Sequence, residues 1–222
     1  LPTYGKIAAE KVLLVGLGKN KDFTPNRLRE LSAKIIKKCR KMGNAKKVIS
    51  VLHGAGIGGY DPEVCARMIA EGTLIGSYSF DKYKTEKSSK KVDELVIVDM
   101  VEENCKKAKA GIKKGKIIGT ALNFARDLSN EQPAYATPSK LAEIAQSFKD
   151  LEVKVYDKEE IEKMGMGAFL GVAKGSSQPP KFIHMHYKGS NQKLIQRKIA
   201  IIGKGICFDS GGLDIKPPSS ML

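Results

Sequence analysis

Apolar and polar positions alternate along this chain in two rhythms: short apolar runs closed by glycine or an acid, and longer stretches with an apolar stripe at helical spacing. Lys11-Val-Leu-Leu-Val-Gly-Leu17 is of the first kind and predicts a buried parallel strand. Thr24-Pro25 then offers an N-cap and a first-turn proline, and Leu28, Leu31, Ile35, Ile36 and Cys39 follow at helical spacing. The scheme repeats with Val48-Ile-Ser-Val-Leu52 as a strand, Asp61-Pro62 as a helix start, and a helix through Met68 and Ile69. Glu94-Leu-Val-Ile-Val-Asp99 predicts a third strand, so the first hundred residues read as an α/β layer structure.

A long proline-free stretch runs from Glu102 to about Ser129, with Ile112, Ile117, Ile118, Leu122 and Phe124 among its apolar positions. It predicts a connecting helix, weakened and open to a break near Gly111, Gly115 and Gly119. Beyond Glu131-Gln-Pro133 a second α/β region begins. Thr137-Pro138 opens a helix, Val153 to Tyr156 is a strand, Asp157 caps a short helix through Ile161, and Lys181 to Lys188 and Lys198 to Phe208 are two more strands. The expected divisions are residues 1–101, a helix over 102–131, and residues 132–222.

Composition sharpens this picture only in part. In 222 residues, 39 Lys plus Arg stand against 24 Asp plus Glu, a formal charge of +15. The positive charge gathers at Lys34 to Lys46, Lys82 to Lys91 and Lys106 to Lys116, read either as solvated helix faces or as a nucleic-acid footprint. Aromatics are 6% with no Trp, so no base-stacking platform accompanies the charge. No apolar run approaches the roughly 20 residues of a membrane helix, which sets a membrane span aside. Leu1 opens no signal-peptide pattern, and without an initiator Met the chain is expected to begin inside a longer protein. The four cysteines are scattered without a C-x-x-C, which points to a reducing compartment.

Three stretches carry candidate chemistry. Gly54-Ala-Gly56-Ile-Gly58-Gly59 follows a strand and precedes a helix, as a dinucleotide loop does. The acidic partner expected about 20 residues on is missing, and the next strand ends only at Asp99, so a structural turn stands beside the nucleotide reading. His184-Met-His186 places two imidazoles on one face of a strand, either as a metal chelate lacking a third ligand or as half-exposed side chains against Phe182. The third stretch is richer. The apolar run Lys198-Ile-Ala-Ile-Ile202 leads into Gly203-Lys-Gly-Ile-Cys-Phe-Asp-Ser-Gly-Gly-Leu-Asp-Ile-Lys216, which crowds glycines around Lys204 and Asp209. An acid just past a buried strand is where α/β sheets place ligands.

This last stretch resembles the signature of the leucine (cytosol) aminopeptidase family of two-metal exopeptidases. The likeness extends upstream through Asn123-Phe-Ala-Arg-Asp-Leu-Ser-Asn130 with Thr137-Pro138, Met166-Gly-Ala-Phe-Leu-Gly-Val-Ala-Lys-Gly175, Pro180 and His186-Tyr-Lys-Gly189. It is dense over residues 119–222, and the first hundred residues look like the family's amino-terminal domain with its start absent. The resemblance implies an α/β fold with a macro-like amino-terminal domain, a connecting helix and the first part of an aminopeptidase-type α/β catalytic domain. It implies that Lys204 ligates one metal through a neutral amine, that Asp209 bridges both divalent ions, and that Lys216 is the catalytic cation. Two divalent ions (zinc, manganese or magnesium) are the implied cofactors, with bicarbonate a further candidate. Peptides are the implied substrates, a homo-hexamer the implied assembly, and the cytoplasm the implied location. The sequence stops before the family's second metal-binding aspartate and its N-T-D-A-E-G-R motif, so the 222-residue chain is expected to be truncated and, alone, inactive. The alternative is a nucleic-acid or nucleotide-binding module in the basic amino-terminal half, with nucleic acid bound weakly.

Overall fold

Thr24 sets the first helix. Its hydroxyl accepts from the Arg27 amide at 3.2 Å, Pro25 takes the position where no amide is needed, and α1 (Pro25–Lys41) follows. The structure, a computed structural model, describes residues 1–42, 45–56, 58–86, 90–189 and 198–207. The same device starts α2 (Pro62–Ser77), where an Asp61 carboxylate oxygen accepts from the Glu63 amide at 2.8 Å. Between the helices lies β1 (Lys47–Val51), and after α2 comes β2 (Glu94–Val98), paired parallel to β1 with Val48 beside Leu95 and Val51 beside Val98. A parallel pair needs a crossover to return the chain, and α2 lies within it. α3 (Glu102–Asn130) closes this part of the chain.

The chain divides into two compact units, Leu1–Asn130 and Glu131–Leu222. In the first, Phe23, Leu28, Leu31, Leu52, Cys65, Ala66, Met68, Ile69 and Ala108 form the core, with Leu95 and Ile97 of β2 packed on it. The opposite face of the two strands is open, and Ile49, Val51 and Val98 are exposed.

α3 runs unbroken through its three glycines, and the reason is where they face. A Cβ on Gly111 would lie 2.1 Å from the Glu63 carbonyl oxygen, one on Gly115 2.5 Å from that of Arg67, and one on Gly119 2.8 Å from the Leu74 side chain. α2 repeats the arrangement toward α1, with a Cβ on Gly72 or Gly76 falling 2.1 Å or 2.4 Å from the carbonyl oxygens of Arg29 and Ala33. Glycines four apart lie on one helix face, so both interfaces let backbone meet backbone. α3 buries its smallest residues and leaves Ile112, Ile117, Ile118, Leu122 and Phe124 exposed. The buried Glu71 carboxylate on α2 joins that helix to α1, 3.4 Å from Arg29 of α1 and 3.6 Å from Arg67 one turn back on α2.

The second unit holds α4 (Pro138–Gln146), capped by Thr137 on the Lys140 amide, then β3 (Glu152–Tyr156). α5 (Lys158–Lys163) starts with a capping box between Asp157 and Glu160, and a short helix without a sequence signal, α6 (Gly167–Ala173), precedes β4 (Phe182–His186). β3 and β4 pair antiparallel, with Tyr156 opposite Phe182 and Glu152 opposite His186. Among the described residues of this unit only Ala142, Ala145 and Ile161 are fully buried.

Two expected strands do not form. Lys11 makes an isolated bridge to Pro2, and residues 12–18 have no strand partner, with Leu14 76% exposed. Residues 198–207 lie in neither helix nor strand. A strand is stable only within a ladder, and apart from the Pro2–Lys11 bridge and the Leu1–Val12 hydrogen bonds at 2.8 and 2.9 Å no described backbone builds one along either segment. No helix among the described residues is long and apolar enough to cross a membrane.

Candidate active site

The glycine-rich stretch following Ile202 begins in this unpaired segment. Ile201 and Ile202 are 94% and 95% exposed, Lys204 is exposed, and neither Gly203 nor Gly205 has a neighbour that a Cβ would meet. Cys207 sits more deeply, its thiol near the Gly205 carbonyl at 3.7 Å and raised in pKa by burial. Asp209 and Lys216 lie outside the described residues. The three residues singled out from the sequence are therefore seen only through Lys204, whose backbone is held here by no sheet.

Elsewhere in the second unit, β4 carries His184 and His186 on one face, as their spacing requires. Neither is poised as a ligand pair. His186 Nδ1 lies 3.7 Å from Glu152, and His184 stands opposite Lys154, whose charge opposes a cation there. Lys188, 3.4 Å from Glu152, is the main reason that carboxyl is held below its usual range, with His186 assisting. Among the described residues no three His, Cys, Asp or Glu side chains gather to hold a metal.

In the first unit, the loop after β1 uses Gly54 and Gly58 for close packing. Gly54 has φ +97°, and a Cβ there would press Cys65, Leu28 and Phe23 at 3.1 to 3.3 Å. A Cβ on Gly58 would fall 2.6 Å from the Gly54 carbonyl oxygen, and the Tyr60 amide closes the turn on that same oxygen at 3.2 Å. The N-terminus of α2 already faces the Asp61 and Glu63 carboxylates, which supply the negative charge a phosphate would bring. Asp99 does follow β2, the strand beside β1, but its carboxylate is engaged at the approach to α3, accepting from the Val101 amide at 2.9 Å and from the Asn104 side chain at 3.1 Å. His53 packs at the loop's start with Nδ1 3.0 Å from the Val51 carbonyl oxygen; burial lowers its pKa and leaves Nε2 without a partner among the described residues.

Sequence reading passed over a groove between α1 and α3, lined by Arg29, Glu30, Ala33, Lys34, Lys37, Ile75, Leu122 and Arg126. The signal was available in the four-residue spacing of Arg29, Ala33 and Lys37 and of Leu122 and Arg126, which places each set on one helix face.

Comparison with known proteins connects these features. Residues 123–222 match the catalytic domain of the cytosol aminopeptidase family, and residues 1–87 match that family's N-terminal domain. A probable cytosol aminopeptidase of Sulfurihydrogenibium sp. (strain YO3AOP1) is 42% identical over 219 residues, covering 97% of this chain and 42% of its own length. One from Persephonella marina is 41% identical over 225 residues, covering 100% of this chain and 44% of its own. The chain thus spans under half the length of these relatives. Among solved structures, a mutant of tomato leucine aminopeptidase superposes with a TM-score of 0.75 at 27% identity, over 89% of this chain and 39% of that one. The bottromycin maturation enzyme BotP in complex with Mn shares the fold at TM-score 0.64 and 24% identity, over 77% of this chain and 35% of that one.

Proposed function

This chain belongs to the cytosol aminopeptidase family, with its N-terminal domain and part of its catalytic domain, and on that premise we propose that the whole protein is a metal-dependent leucyl aminopeptidase. It releases amino-terminal residues, leucine and similar, from peptides. The observation that carries this reading is the Gly203 to Lys216 stretch, inside the catalytic-domain match and rich in the residue types the chemistry needs.

Bound divalent ions supply an activated water and polarise the scissile carbonyl. Of this chain's residues, Lys204 and Asp209 would hold them. Lys216 donates to the oxygen on which negative charge develops as the peptide carbonyl is attacked. The donors present fit part of such a centre and do not fill it. Two dications need several anionic ligands, whereas the residues assigned to hold them are one carboxylate, Asp209, and one amine, Lys204, and no cluster among the described residues adds to them. The family reading further supplies a macro-like fold for the amino-terminal domain, zinc, manganese or magnesium as the metals with bicarbonate beside them, a homo-hexameric assembly and a cytoplasmic location.

The test is hydrolysis of leucine p-nitroanilide with added manganese or zinc. The whole protein is expected to turn over, and a polypeptide of residues 1–222 is not. In the whole protein, Lys216→Ala is expected to keep the metal and lower turnover by about 10², and Asp209→Ala to lose metal and activity together. Metal-dependent turnover by residues 1–222, or a normal rate for Lys216→Ala, would overturn the assignment.

A further inference from the structure

The groove of the first unit, about 460 Å³ in volume, has a floor and walls of different character. Ala33, Ile75 and Leu122, one from each of the three helices, make an apolar floor. Four cations surround it against one carboxylate, Glu30, which already faces Arg27 at 3.4 Å and accepts from Asn26. The two arginines are held in place. Arg29 donates to Glu71 at 3.4 Å and to Asn26 at 2.5 Å, while Arg126 donates to the Ile75 carbonyl at 3.3 Å and lies 5.4 Å over the Tyr78 ring. The two lysines are held by nothing: Lys34 and Lys37 are exposed and make no ion pair or hydrogen bond among the described residues. Fixed arginines beside an apolar floor, with lysines at the rim, leave positive charge that no described residue compensates beside apolar surface that none covers.

From this we propose that the groove between α1 and α3 is a docking site for an acidic amphipathic helix of a partner protein. The row from Arg29 through Ala33 to Lys37 covers nine residues, eight steps or about 12 Å at 1.5 Å per step, which matches two turns of a helix laid alongside. Apolar side chains at i, i+3 and i+4 of the guest meet Ala33, Ile75 and Leu122, and acids on its flanks meet the rim. The floor contributes most of the affinity, and the rim sets partner choice and the rate of encounter. A nucleic-acid backbone uses the cations but not the floor, and so is the weaker match.

The probe is a designed helix of about 15 residues, long enough to be partly helical alone, with leucines in one stripe and glutamates on both flanks. Its counterpart has every Glu replaced by Gln. With the 222-residue chain, fluorescence anisotropy is expected to show the acidic peptide binding at least about tenfold more tightly than the neutral one, and amide shift changes are expected at Ala33, Ile75 and Leu122. Reversing the two free rim charges, Lys34→Glu with Lys37→Glu, is expected to weaken binding by about tenfold. Both positions are exposed, so the melting temperature stays close to that of the parent. Leu122→Ser keeps the charges and is expected to weaken both peptides together. Equal binding of the two peptides, no effect of charge reversal, shift changes confined to other faces, or displacement of the peptide by equimolar duplex DNA would each overturn the proposal.

Discussion

A glycine inside a helix ordinarily weakens it by about 1 kcal/mol relative to alanine. At Gly111 and Gly115 the sign reverses, because the added Cβ would meet the Glu63 and Arg67 carbonyl oxygens at 2.1 Å and 2.5 Å. Gly111→Ala and Gly115→Ala are each expected to destabilise the chain by about 1–3 kcal/mol, the range for overpacking, read as a lower urea midpoint. An exposed change such as Lys113→Ala, on the other side of α3, is expected to stay within about 0.5 kcal/mol of the parent. Cys65 gives a second test. It is fully buried, and desolvation first and the nearby Asp61 second push its thiol up to about 11 from 9.0. The folded state therefore keeps a proton that the unfolded chain loses, and stability present below pH 9 is lost as pH rises toward about 11. Thermal melts across that range check the sign, and Cys65 is expected to resist thiol reagents until the chain unfolds.

At the scale of the element, local chemistry in the sequence was enough where it sets an end. Thr24-Pro25, Asp61-Pro62, Thr137-Pro138 and Asp157 each begin a helix within the structure. Thr24→Ala removes the acceptor for the Arg27 amide and is expected to lower stability by about 1 kcal/mol, measured by urea unfolding. Strands were less legible, because their formation depends on a neighbour the run itself does not specify. Val48 to Leu52 and Lys11 to Leu17 look alike in hydrophobicity, yet only the first finds a ladder, with β2. The helix α3 was legible in length but not in face, since its glycines read as weak points and not as a contact surface. Here close backbone approach selects the glycines instead. Of the candidate site only Lys204 lies within the described residues, so the site rests on the residue types of the sequence, and Asp209 and Lys216 lie outside them.

Over the whole molecule the two units differ in how much they bury. The first has a contiguous core from Phe23 to Ala108 beneath three stacked helices, and the second buries Ala142, Ala145 and Ile161 among its described residues. Opening free energy follows buried apolar contact, so hydrogen exchange is expected to be slowest in α1, α2 and α3 and markedly faster across residues 138–186. Equal protection in both would show that burial is not what separates them. The glycine-lined stack has a consequence of another kind, for insertions and deletions. Each residue turns a helix by about 100°, so one residue added between Gly111 and Gly115 would swing Gly115 and Gly119 away from α2 and carry Lys114 and Ile118 toward the places they leave. No rotamer relieves that, since the obstacle is the carbonyl oxygen of Arg67. Exposed side chains of α3 away from the groove are free to vary, while the number of residues between its glycines is fixed.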